Sequence, residues 1–190
     1  SIWAVDLSGI KPDAKIAILG SGPIGMCVLL YARQKGVKNI YVSDKIDNRL
    51  HKAEKAGASW TGNPDRENIV DMIHKEEPLG LDCIFDCCGK QEAMDQAIEM
   101  IKPGGKVMIV GIPEFDNWKF PTDITRRKEI CIQNVRRQND RLQQAIDLIA
   151  EGKVNTDQLV THRFSFPRTN EAFDLVNEYR DGVMKALIEF

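Results

Sequence analysis

The sequence has no long hydrophobic run. Its longest uninterrupted apolar stretch, Met26 to Ala32, is seven residues, far short of the ~20 needed to cross a bilayer as a helix. It has no basic excess either: Lys and Arg number 26 against 28 Asp and Glu, a formal net charge of −2, without the positive surplus that nucleic-acid binders carry. No signal-peptide pattern opens the chain, no segment is of low complexity and no fixed-period repeat runs through it. Neither nucleic acid nor a membrane is therefore expected as a partner, and the expected location is cytoplasmic. Histidine is scarce, with three residues, and the five cysteines are an odd number, mostly inside segments that read as buried helix or strand. That usage fits a reducing compartment rather than a disulfide framework. Cys83, Cys87 and Cys88 are close in sequence, but on a strand the first two face one way and the third the other, with no histidine nearby, so a zinc site is not expected among them.

What is present is an ordinary globular composition, 43% hydrophobic and 28% charged over 190 residues, enough for one domain or one domain with an appendage. Short apolar segments alternate with helical ones. Lys15 to Leu19, Asn39 to Ser43, Ser59-Trp60, Leu81 to Cys87, Lys106 to Val110 and Ile130 to Val135 read as strands. Pro23 to Lys35, Asp47 to Ala56, Asp65 to Lys75 and Gln91 to Ile101 read as helices, punctuated by Pro23, Gly36, Gly57, Asn63-Pro64 and Lys102-Pro103-Gly104-Gly105. The alternation predicts an α/β fold of Rossmann type: a doubly wound, parallel, six-stranded sheet with helices on both faces. The rhythm then changes. Ile112 to Lys128 reads as irregular, followed by a helix near Asp140 to Ala150, a strand at Leu159 to Phe166, a helix at Thr169 to Tyr179 and a strand at Lys185 to Phe190. The tail from about Thr156 does not read as a further strand-helix repeat. Residues 1–10 read as the end of a helix begun upstream, 11–155 as a dinucleotide-binding domain and 156–190 as a separate C-terminal segment.

The stretch "ILGSGPIGMCVLL", residues 18 to 30, runs a strand into Gly20-Ser21-Gly22-Pro23-Ile24-Gly25 and then into a helix. Gly20 permits the tight turn, Gly22 lets backbone approach a pyrophosphate and Gly25 lets helix pack closely on strand. The helix start offers free N–H groups and a positive dipole end to phosphates. Asp44 ends the second strand, where this fold places an acid on the adenosine ribose. It is expected at the surface, with Lys45 and Arg49 close enough in sequence to soften its repulsion of a 2′-phosphate. A methyltransferase would carry an acid just before its glycines, whereas Ile16 to Leu19 is wholly apolar. Tyr31 and Lys35 form a Y-x-x-x-K pair, but on the first helix, where Tyr31 reads as core and Lys35 as solvated. His51 and His74 read as exposed, and nothing pairs Asp82 and Asp86 for acid-base work.

Together with "FDCCG" (85 to 89), "KPGGKVMIVGIP" (102 to 113) and "LVTHRFSFPRTNEAFDLV" (159 to 176), these motifs make nearly the whole chain resemble the coenzyme domain of zinc-dependent medium-chain alcohol and polyol dehydrogenases. "VRRQND" (135 to 140) resembles the sorbitol dehydrogenases among them. The resemblance implies NAD as cofactor, with Gly20, Gly22, Pro23, Ile24 and Gly25 at the pyrophosphate and Asp44 with Arg49 at the adenosine. It implies Cys88 in the adenine and ribose cleft, Val110, Gly111 and Ile112 at the nicotinamide, and Asn134 or Val135 near the same ring. Lys185 falls where some members place a base on the phosphates. Val110 and Ile112 also read as ordinary strand-end core, and Lys185 as a solvated tail residue. The family's zinc ligands and GroES-like catalytic domain have no counterpart in these residues, so zinc is expected only in a part absent from this chain. With that part, the implied activity is hydride transfer between an alcohol or polyol and NAD; alone, the chain is expected to be inactive. The alternative is a stand-alone nucleotide-binding or redox-sensing module. A homodimer or tetramer is expected.

Overall fold

A computed structural model describes residues 1–190. A short helix, α1 (Ile2–Ser8), precedes β1 (Lys15–Leu19), α2 (Pro23–Gln34), β2 (Asn39–Ser43), α3 (Asp47–Lys55), β3 (Trp60–Gly62), α4 (Ile69–Glu76), β4 (Leu81–Asp86), α5 (Gln91–Met100), β5 (Ile101–Ile109), α6 (Thr122–Arg127) and β6 (Cys131–Asn134). All six strands are parallel, in the order β3-β2-β1-β4-β5-β6. The expected doubly wound sheet is therefore present. Its central strands are buried on both sides, as parallel strands with crossover helices must be. On one face Ile16, Ile18, Phe85 and Met108 pack with Val5 of α1 and Met26 and Leu29 of α2. On the other, Leu19, Ile84 and Val107 pack with Ile73 of α4 and Met94 and Ile98 of α5.

β1 and β2 lie where the apolar runs placed them. Elsewhere boundaries move for local reasons. α4 starts at Ile69 rather than Asp65: Asn68 caps it, its side chain accepting from the amides of Val70 (3.1 Å) and Asp71 (3.3 Å). Asn63-Pro64 instead makes a turn, with Asn63 Nδ2 donating to the Lys45 carbonyl and Asp47. β5 begins five residues early because Ile101 already pairs with Leu81, after which Lys102 to Gly105 bulge out before Lys106 pairs with Cys83. The stretch read as irregular contains α6. The tail is also corrected: α7 (Leu142–Ala150) is followed by β7 (Val160–Ser165), α8 (Thr169–Asn177) and β8 (Lys185–Glu189), and β7 and β8 pair in parallel as a second, two-stranded sheet. It is a strand-helix-strand unit after all, outside the main sheet. No helix is long and apolar enough to cross a membrane.

Lys128, after α6, fastens the β6 edge to the body. Its Nζ donates to the carbonyls of Ile98 (3.0 Å), Glu99 (2.8 Å) and Ile101 (2.9 Å), the acceptors left open where α5 ends. Burial lowers its pKa against the opposing pull of Glu99, and its own carbonyl accepts from Gly104 (2.6 Å). Replacing Lys128→Met removes the charged donor while keeping the stem, and is expected to cost roughly 1.5–3 kcal/mol. Urea unfolding at neutral pH checks this, and an unchanged midpoint would contradict it.

Candidate functional site

The strand order reverses between β1 and β4, so the chain leaves neighbouring strands in opposite directions and opens a crevice at their carboxyl ends. The glycine loop lies there. Gly20 has φ +97°, and a Cβ on it would sit 3.1 Å from Cys88 Cβ and 3.2 Å from the Cys88 amide. Gly25 faces back onto the same turn: its Cβ would lie 1.9 Å from the Gly20 carbonyl oxygen. Gly22 is the N-cap of α2 and Pro23 its first residue, so the first-turn amides of Ile24 and Gly25 have no intrahelical carbonyl to serve.

Asp44 is not at the surface as expected. Its side chain is only 8% exposed, because Oδ2 accepts from the Ser21 amide (2.7 Å) and Oδ1 from the Ile46 amide (2.9 Å). The acid after β2 is thereby tied to the loop after β1. Arg49 completes the group, with Nη1 3.9 Å from Asp44 Oδ2 and 3.6 Å from where a Cβ on Gly22 would be. Its guanidinium lies 5.1 Å from the centre of the Tyr179 ring, and its Nε is buried without a partner. Lys45 turns away to Asp65 (2.9 Å), which raises its pKa, so it does not offset the charge of Asp44.

Beside the loop, Asp86 ends β4 fully buried. Its Oδ1 accepts from the amides of Cys88 (3.1 Å) and Gly89 (2.9 Å) and from the Cys88 thiol (3.2 Å). Its main-chain carbonyl accepts from Val110 (2.9 Å) and Gly111 (2.8 Å). Gly111 and Gly89 touch so closely that a Cβ on Gly111 would lie 2.4 Å from the Gly89 amide, while Ile112 stands almost wholly exposed above. Val135 donates to the Ile109 carbonyl (2.9 Å) and Asn134 pairs with Ile109, which carries the end of β6 alongside. The fold thus gathers Gly20, Gly22, Pro23, Ile24, Gly25, Asp44, Arg49, Cys88, Val110, Gly111, Ile112, Asn134 and Val135 along one edge of the sheet. Lys185 is exposed at the start of β8, near enough to α2, the helix that follows the glycine loop, for its charge to oppose the burial that raises the thiol pKa of Cys27.

The other polar residues singled out in the sequence lie outside this group. The Tyr31 hydroxyl donates to Asp6 (3.0 Å) from a buried position while Lys35 is exposed. His51 and His74 are exposed, and Asp82 accepts from the Lys15 amide and pairs with Lys102. Two contributors carried little sequence signal. Asp86 begins a strand-end turn in which an Asp accepts from amides two and three residues on, a pattern visible in "DCCG". Tyr179 reaches Arg49 from 130 residues away, and nothing local announces it.

A dinucleotide fits these residues: the close-packed glycines, the buried acid on the loop and the unpartnered Arg49 Nε form a cradle with polar groups still to satisfy. Zinc does not fit. No three His, Cys, Asp or Glu side chains converge. Burial pushes the Cys83 thiol up to about 12 and raises that of Cys87, while Cys88 is exposed and bonded to Asp86.

Comparison with known proteins agrees. The family model for zinc-binding dehydrogenases matches residues 23–151. The zinc-type alcohol dehydrogenase-like protein YdjJ of Escherichia coli (strain K12) is 33% identical over 98% of this chain and 53% of its own length. Sorbitol dehydrogenase of Bacillus subtilis (strain 168) is 27% identical with the same coverage. A protein of Sinorhizobium meliloti 1021, solved bound to NADP, superposes with a TM-score of 0.88 at 29% identity, over 97% of this chain and 55% of that one. The chain spans about half the length of the curated relatives it matches. By its glycine loop, its strand order and this match, the chain belongs to the zinc-binding dehydrogenase family and has the fold of its dinucleotide-binding domain.

Proposed function

We propose that the chain binds NAD(H) along this edge, residues 11–155 forming the binding domain and 156–190 a segment directed toward the family's catalytic domain. The observation that carries the reading is the Asp44 carboxylate bonded to the Ser21 amide at 2.7 Å, which places a ribose acceptor and the phosphate loop in one rigid group. In this reading the amides of Gly22, Ile24 and Gly25 take the pyrophosphate, Asp44 and Arg49 the adenosine ribose, and Cys88 lines its cleft. Val110, Gly111 and Ile112 form the nicotinamide wall with Asn134 or Val135 beside it, and Lys185 extends toward the phosphates. The bound cofactor supplies the hydride acceptor or donor; the chain's residues orient it and shield one face.

The whole protein then exchanges hydride between NAD and a secondary alcohol or polyol. Alcohol activation belongs to the half of the relatives' length that this chain does not span. The five free cysteines support a cytoplasmic site of action. The exposed β6 edge, with Cys131 and Asn134 on it, supports a homodimer that continues the sheet across two copies; sedimentation at micromolar concentration should show it, and a clean monomer counts against it.

The direct test is fluorescence titration of the 190-residue chain with NADH, alongside metal analysis and assays with sorbitol, ethanol and threonine. Saturable NADH binding without stoichiometric zinc or turnover is expected. No NADH binding overturns the cofactor assignment, and turnover with equimolar metal overturns the division of labour.

A further inference from the structure

Asp86 is fully buried at the end of β4, and only one of its two carboxylate oxygens is satisfied by the protein. Oδ1 collects the amides of Cys88 and Gly89 and the Cys88 thiol, while Oδ2 is buried with no partner. An unsatisfied buried oxygen opposes folding, so packing alone does not explain a carboxylate here. The groups Oδ1 holds lead to both halves of the crevice. Cys88 rests on the phosphate loop, within 3.1 Å of the position a Cβ on Gly20 would occupy; Gly89 rests on the other wall, where a Cβ on it would lie 2.7 Å from the Ile112 carbonyl oxygen.

We infer that Asp86 is a positioning residue for the cofactor: its carboxylate fixes the Cys88-Gly89 turn, and that turn sets the distance between the phosphate loop at Gly20 and the nicotinamide wall at Gly111 and Ile112. The inference rests on the proposed NAD(H) site. Asp86 itself touches no cofactor. Without its acceptor the two turn amides lose their partner, the turn loosens, and the walls lose their register. A dinucleotide must satisfy both walls at once, whereas AMP engages only the adenosine end, where Cys88 is its one contact with the turn.

The test compares NADH and AMP on the unmodified chain, on Asp86→Ala and on Asp86→Asn. NADH affinity should fall at least about tenfold in Asp86→Ala while AMP affinity changes less than about threefold. Asp86→Asn keeps an amide oxygen in the Oδ1 position and should bind NADH within about threefold of the unmodified chain. Bound-cofactor emission should move toward that of free NADH in the alanine variant only. Unchanged NADH affinity in Asp86→Ala, or equal losses for NADH and AMP, would overturn the inference, the second result marking a purely structural role. If the alanine variant does not fold, Asp86→Asn decides alone, a tenfold loss of NADH affinity in the folded variant being the overturning result. Failure of the unmodified chain to bind NADH overturns the NAD(H) reading beneath it and is thereby distinguishable.

Discussion

NADH is expected to bind at least about 30-fold more tightly than NADPH, a difference of about 2 kcal/mol. The cause is Asp44, whose carboxylate is held by two amides beside the glycine loop. Each oxygen keeps acceptor capacity for a ribose hydroxyl, and such charge-assisted bonds contribute roughly 1.5–3 kcal/mol each when well aligned. A 2′-phosphate removes a donor and sets a second anion against the first. Arg49 is the one cation near enough to soften the clash, because Lys45 is engaged with Asp65. Asp44→Ser should reduce the NADH to NADPH ratio below about 5, mainly by weakening NADH. The same change strands the Ser21 amide, so a stability loss of about 1–2 kcal/mol should accompany it. Equal affinities in the unmodified chain, or an unchanged ratio in the variant, would show that Asp44 serves the loop alone.

Gly25→Ala should be strongly damaging. The new Cβ would lie 1.9 Å from the Gly20 carbonyl oxygen, 3.0 Å from its carbon and 3.2 Å from Ile18 Cγ2. Main chain, not a movable side chain, stands in the way. Helix and loop must separate, and overpacking of this kind costs about 3 kcal/mol; the displaced loop should also weaken NADH by more than about tenfold. Gly104→Ala is the control. Its φ is +72° but nothing lies within 4 Å of the added methyl, so only the left-handed backbone penalty of about 1–2 kcal/mol applies, with NADH affinity unchanged. Calorimetry and titration of both variants separate contact from conformation, and equal effects would contradict the argument.

Features made within a few residues were legible in the sequence, and those made across the fold were not. The β1-loop-α2 unit and Asp44 could be read because strand, glycines and acid follow one another in a single βαβ stretch. α6 was hidden because its six residues bury no side chain, so it has no apolar face to generate a period. The early start of β5 was hidden by Pro103 and two glycines, which read as a turn yet form a bulge inside the strand. The burial of Asp44 depends on the Ser21 amide 23 residues away. Arg49 meets Tyr179 only because the C-terminal unit returns to α3.

That return has a consequence for how the molecule opens. β7 and β8 pair only with each other, α8 has just Ala172 buried, and Phe166, Phe173 and Phe190 are exposed around them. The unit buries little of its own and is held to the main core by Leu159 and Met184, just before its two strands, so it is expected to open at lower free energy than the six-stranded sheet. Its loop holds Tyr179 against Arg49. Such an opening would bare the guanidinium beside Asp44, and a cofactor seated at the proposed adenosine site is expected to restrain a segment more than a hundred residues downstream. Amide protons of β7 and β8 would then exchange more slowly with cofactor present, although none of those strands' residues except Lys185 is placed near the cofactor.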